Sequence, residues 1–324
     1  MKPFEGITRY VFLGFFLSHI PITLLLDGQA SLFGITYPTA LTEFTAWYAS
    51  TFQDPHFNRD DYELWFRCFI TVELLIQLPY FFVAVPMIYS NKTYPEWFRL
   101  ASLVYAAQAI TAIVPVLALV LFNPDASPSQ RVILTSIYMP YLLVPLALVY
   151  YTFEPSSKTT TILPMTGATK TAMLVFFMSH VPITILIDSQ GLSPVYHPQP
   201  AVDLLKWYTT TLQDHLMTSP HPVWFQSFVG CECLLQFPFF FVAIQQLRSN
   251  NSSLSWWFPS AALLYGAHVV TTMVPILAEV WTSTQIETPT LKLILTCIYA
   301  PYAIFPAWIA YWAATASYEK SKKE

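Results

Sequence analysis

Residues 15–29 read FFLSHIPITLLLDGQ, and residues 176–190 repeat them as FFMSHVPITILIDSQ, with ten of the fifteen positions identical. The echo continues along the chain. WYASTFQD (47–54) returns as WYTTTLQD (207–214), VELLIQLPYFFVA (72–84) as CECLLQFPFFFVA (231–243), YAAQAITAIVPVLA (105–118) as YGAHVVTTMVPILA (265–278), and IYMPYLLVP (137–145) as IYAPYAIFP (298–306). The offset stays between 159 and 161, so the chain is a tandem duplication and its fold must be built twice.

Each copy holds four apolar stretches near the length of about 20 residues that a helix needs to cross a bilayer. They fall at roughly 8–27, 64–89, 98–122, 131–153, 170–188, 223–248, 257–281 and 291–316. Only 10% of the residues are charged and 55% are hydrophobic, against about 25% charged in a soluble domain. The expected fold is therefore an all-α polytopic membrane protein, eight transmembrane helices forming two tandem four-helix bundles. The expected divisions are a first unit at 1–155, a Pro/Ser/Thr-rich linker at 156–168, a second unit at 169–318 and a basic tail at 319–324. The first apolar run could pass for a signal peptide, but its mid-chain copy cannot be one, so both read as retained helices.

Charge bounds the partners and the orientation. A net charge of −4 offers no basic face, so no nucleic-acid partner is expected. An even helix count puts both termini of each unit on one side. That side collects ten Lys and Arg, Arg99 among them, against five on the other, which makes it cytosolic with both termini. The sequons at Asn91, Asn250 and Asn251 then face the cytosol. Lys320 and Lys322 of the tail KSKKE fit either a dilysine endoplasmic-reticulum retrieval signal or a basic stop-transfer flank. Cys68, Cys231, Cys233 and Cys297 lie in or beside apolar segments, read as reduced thiols, and show no zinc spacing.

Ionisable groups inside an apolar helix are costly and so mark function. Three carboxylates recur per unit: Asp27 and Asp188 end the first helix, Asp54 and Asp214 follow a Trp-Tyr pair, and Glu73 and Glu232 lie inside the second helix. Gln77 and Gln236 follow the glutamates by four residues, on the same helix face. A glutamate and an aspartate meeting in an apolar cavity would share a proton, because burial and a neighbouring carboxyl both disfavour ionisation. Such a pair can hold a cationic amine or protonate an alkene or epoxide; the residues leave both uses open. We expect Glu232 with Asp214, or Glu73 with Asp54, as the proton donor, assisted by Asp188 or Asp27.

Prolines at 21, 79, 115, 140 and 145 recur at 182, 238, 275, 301 and 306, and kinks at these points would open pockets. Repeated aromatics, among them Trp47, Tyr48, Trp207, Tyr208 and Tyr299, are expected to line them, since aromatic faces stabilise cations. His19 and His180 are read as hydrogen-bonding residues or as proton relays. The copies differ at Gln108, replaced by His268, and at Leu119, replaced by Glu279.

At SHIPITLLLD, WY…QD and ELLIQLP each unit resembles the EXPERA family, which holds sigma-2-like ligand-binding proteins and emopamil-binding sterol isomerases. The resemblance implies that Asp27 and Asp188 pair with a ligand amine, that Asp54, Glu73, Asp214 and Glu232 neighbour it, and that His268 makes the second unit the closer match. It also implies residence in the endoplasmic-reticulum membrane. A duplicated chain of this length is similar, too, to integral-membrane terpene cyclases of fungal meroterpenoid pathways. The favoured expectation is acid-catalysed isoprenoid or sterol chemistry through a carbocation, as a terpene cyclase or an alkene isomerase. The alternative is a non-catalytic sterol- or amine-binding protein of lipid traffic. Expected partners are membrane lipid and a hydrophobic small molecule, either a prenylated intermediate or a sterol, with a homodimer left open. No cofactor and no metal are expected.

Overall fold

The computed structural model describes residues 3–57, 62–124, 126–154, 160–162, 164–193, 196–249, 254–316 and 318–320. The sequons at Asn250 and Asn251, Lys322 of the tail and residues 156–159 of the expected linker lie outside the described residues. The chain divides into two compact units, Met1–Ser156 and Ser157–Glu324.

The first unit runs α1 (Gly6–Leu25), α2 (Thr39–Phe52), α3 (Leu64–Ser90), α4 (Glu96–Phe122) and α5 (Pro128–Thr152). The second repeats it as α6 (Gly167–Leu186), α7 (Gln199–Leu212), α8 (Val223–Arg248), α9 (Phe258–Thr282) and α10 (Pro289–Thr315). Among the described residues, eight helices are long and apolar enough to span a bilayer, four per unit. The protein is thus an all-α, multi-pass membrane protein. Phe82, Val132, Leu143 and Leu234 stand exposed on the outer faces, as a lipid solvent requires.

α2 and α7 are the helices that periodicity did not reveal. Each has 14 residues, too short to span, and sits in the connection that follows the first span. Thr45 and Ala49 of α2 turn inward while Trp47 is 55% exposed, and Trp207 of α7 is 61% exposed. An apolar aromatic edge of this kind suits a helix lying along the membrane surface.

The prolines act differently in the two copies. α5 is locally disturbed at Met139, just before Pro140, yet stays helical there (φ −56°, ψ −37°), whereas α10 continues undisturbed through Pro301 and Pro306. In α3 and α8 the chain widens instead into a π-helical turn, over Glu73–Gln77 and Glu232–Gln236. The Leu78 amide reaches back five residues to the Glu73 carbonyl, and Phe237 does the same to Glu232. Pro79 and Pro238 follow immediately. Their rings would crowd the carbonyl four residues earlier in a regular helix, and the wider turn makes room.

Aromatic stacking joins the middle helices of each unit. Tyr80 and Tyr105 lie 4.6 Å apart between α3 and α4, and Phe239 and Tyr265 repeat the stack at 4.6 Å between α8 and α9. Such pairs contribute about 0.5–1.5 kcal/mol beyond their buried area. Gly266 lets α9 close on α10, because a Cβ there would collide with the Pro306 carbonyl and Ala310.

Arg99 was counted with the cytosolic loop charges, yet it is 1% exposed. Its guanidinium pairs with Glu96 at 2.6 Å and donates to the Thr152 carbonyl at 2.9 Å, tying the start of α4 to the end of α5. Two short strands complete the second unit. β1 (Thr160–Ile162) and β2 (Tyr318–Lys320) pair antiparallel, with Thr160 opposite Lys320. The linker and the start of the tail, expected as separate connecting segments, are therefore joined by backbone hydrogen bonds.

Candidate functional site

His19, Thr23 and Asp27 stand four residues apart along α1 and the turn that ends it, so one helical face carries all three. That face meets the π turn of α3. Thr23 donates to Glu73 Oε1, and His19 Nε2 lies 3.2 Å from the same oxygen. One donor atom each from His19, Asp27 and Glu73 falls within 4.8 Å of the other two. The second unit rebuilds the cluster: Thr184 donates to Glu232 Oε1 at 2.5 Å, His180 Nε2 lies 3.5 Å away, and Asp188 completes the set.

Each cluster forms the polar end of an apolar cavity, of about 270 Å³ in the first unit and about 230 Å³ in the second. Phe66, Phe69, Tyr138 and Tyr141 line the first, and Phe225, Phe228, Tyr299 and Tyr302 the second. The histidine rings are held edge-on by Tyr141 at 4.9 Å and by Tyr302 at 4.7 Å. Burial pushes the Asp27 carboxyl well above the usual carboxylate range, and the neighbouring Glu73 and Asp54 add to the effect. A pair of carboxyls walled by aromatic faces is chemistry for a cation. The same three side chains have the donor types of a divalent-cation site, although their spacing also suits an ammonium group.

A family model described as EXPERA (EXPanded EBP superfamily) matches residues 40–152 and again 200–313. The chain belongs to the EXPERA family. Both matches cover most of a unit, so the duplication is a duplication of the EXPERA domain. Relatives include Sigma intracellular receptor 2 of Xenopus tropicalis, 41% identical over 139 residues, which are 40% of this chain and 79% of that protein. Sigma intracellular receptor 2 of Homo sapiens is 33% identical over 162 residues, 44% of this chain and 90% of that protein.

Within the EXPERA units, the hydrogen bonds among the described residues tie Asp54 and Asp214 to tyrosines and backbone amides and not to the glutamates. Asp54 is fully buried and Asp214 is 1% exposed, and neither is on a cavity wall. Asp54 accepts from the hydroxyls of Tyr48 at 3.1 Å and Tyr138 at 2.5 Å, and from the His56 amide at 2.9 Å. Asp214 accepts from Tyr208 at 2.8 Å, Tyr299 at 2.7 Å and the Leu216 amide at 3.2 Å. Desolvation first, then the aspartate beside each, pushes the Tyr48 and Tyr208 hydroxyls upward, so both remain neutral donors. The aspartate that meets each glutamate is the one at the end of the first helix.

Other expected residues divide in the same way. Tyr48, Tyr208, Tyr299, Gln77, Gln236, His19 and His180 lie on cavity walls. Trp47 and Trp207 do not, because their indoles face outward from the amphipathic helices. His268 stands behind the wall, its Nε2 accepting from the Gln236 amide at 3.1 Å. Thr23 and Thr184 went unrecognised in the sequence. The signal was present, a repeated threonine four residues after a repeated histidine, but a threonine in an apolar helix most often bonds its own backbone.

Proposed function

We propose that each EXPERA unit is an intramembrane receptor for a hydrophobic amphiphile with a basic group, whose cation sits between Asp27 and Glu73 or between Asp188 and Glu232. The observation that carries this reading is the acceptor role of the glutamate: a threonine hydroxyl and a histidine nitrogen both address the same oxygen of Glu73. A carboxylate held by donors is set up as an anion for a counter-charge, with an apolar cavity for the rest of the ligand. The word receptor in the relatives' name supports the same reading. We also place the chain in an intracellular membrane, the endoplasmic reticulum, with both termini cytosolic.

A second reading, proton-initiated chemistry on a sterol alkene or a prenylated epoxide, is favoured by one observation. Burial makes Asp27 hold its proton more tightly than a surface carboxyl, on the wall of an apolar cavity. It would act as the acid and Glu73 as the base that receives the proton back. The discriminating experiment uses membranes from cells expressing the chain. Saturable binding of a tritiated arylalkylamine, abolished in the combined Glu73→Gln/Glu232→Gln variant and with no product from either substrate class, supports the receptor. Turnover of a sterol alkene or prenyl epoxide that the same variant abolishes would replace it with the enzyme.

A further inference from the structure

The two cavities share a polar cluster and differ in the wall opposite. Ala109 and Ala112 of α4 line the first, and their counterparts Val269 and Thr272 line the second. Thr272 gives its hydroxyl to the Val269 carbonyl at 2.7 Å, so it adds bulk to the wall without offering the ligand a donor. The second cavity also exchanges Phe57 for Met217 and Ile113 for Met273, replacing shaped surface with flexible side chains. Its volume is smaller, about 230 against about 270 Å³.

The hydroxyls behind this wall do not set the cavities apart: those of Tyr105 and Tyr265 are both buried and without a hydrogen-bond partner among the described residues.

We infer that the two cavities select different ligands: the first takes a broad, rigid ring system carrying the basic group, and the second takes a narrower, flexible amine. This inference rests on the receptor reading above. Ala109 and Ala112 admit the width of the ring system. Val269 and Thr272 exclude it from the second cavity.

The test uses the full chain in nanodiscs, with one cavity silenced at a time. Asp188→Asn/Glu232→Gln leaves the first cavity, and Asp27→Asn/Glu73→Gln leaves the second. Two tritiated probes are compared: an aminosterol and an arylalkylamine. The aminosterol should bind the first cavity at least about tenfold tighter than the second, the scale of added methyl groups forced into a filled site. Ala109→Val/Ala112→Thr should lower the aminosterol-to-arylalkylamine affinity ratio of the first cavity, with thermal melting reporting on the fold. Val269→Ala/Thr272→Ala, which only removes bulk, should raise that ratio in the second cavity. Equal ratios in the two cavities, or wall exchanges that leave the ratio unmoved, would overturn the division while leaving the receptor reading intact. If neither cavity binds the arylalkylamine, the receptor reading falls and the division with it.

Discussion

Tyr138 donates its hydroxyl to Asp54 Oδ2 at 2.5 Å across 84 residues of chain, and Tyr299 repeats the bond to Asp214 at 2.7 Å. The bond fastens the turn after α2 to α5, and its copy fastens the turn after α7 to α10. It makes the acid of the QD motif an anchor between two elements of its unit. Each of these aspartates accepts two tyrosine hydroxyls and at least one backbone amide.

Replacing the anchor should therefore cost stability first. Tyr138→Phe leaves a buried carboxylate oxygen short of one charge-assisted bond, worth about 1.5–3 kcal/mol. Asp54→Ala strands two tyrosine hydroxyls and should cost more. Thermal melting of the purified protein in nanodiscs checks both. Unchanged melting alongside lost ligand binding would return Asp54 to the site.

The glutamates should behave in the opposite way. Glu73→Gln keeps the shape of the side chain and the acceptor for Thr23 but removes the negative charge. Amine affinity in the first cavity should fall by about tenfold or more, the value of a hydrogen-bonded buried charge pair, with little change in melting. Counting sites by saturation binding should give two per chain in the wild type and one in either Glu73→Gln or Glu232→Gln.

Amine binding should also depend on pH in a defined direction. Burial, Glu73 and Asp54 together raise the Asp27 carboxyl above the usual range. Below its raised value Asp27 is neutral and contributes no charge to an ammonium group, so affinity should weaken as pH falls through that value. Asp27→Asn should flatten the profile of the first cavity. Saturation binding from neutral to mildly acidic pH in the second-cavity-silenced background reads it directly.

Gly266 marks where the second unit tolerates least. A methyl group there meets the Pro306 carbonyl, which is backbone and cannot swing aside. Gly266→Ala should destabilise that unit by about 1–3 kcal/mol, the cost of overpacking a filled contact. The first unit already carries Ala106 at the matching position, fully buried. Melting of Gly266→Ala should show that loss, while Ala106→Gly should show about 1 kcal/mol from placing glycine inside a helix.

Much of the cluster was readable in advance because helical spacing is local. His19 and Asp27 lie eight residues apart, two turns of one helix, and Glu73 lies inside an apolar stretch where a charge needs a reason. Choosing the partner of Glu73 was a different kind of problem. Asp54 and Asp27 both stood near helix ends, and sequence offered no distance between either of them and α3. The π turn was equally hidden, since Pro79 announces a disturbance but not whether the helix kinks, breaks or widens.

The doubled unit, its four spans and the acids and histidine of each are legible in consecutive residues, because hydrophobic length and period are local properties. Tertiary structure alone decided which carboxyls meet, which are tied to tyrosines, and how wide each cavity is. Those outcomes depend on contacts between side chains tens of residues apart, where Ala109 facing the cavity and Val269 facing its copy differ by two methyl groups.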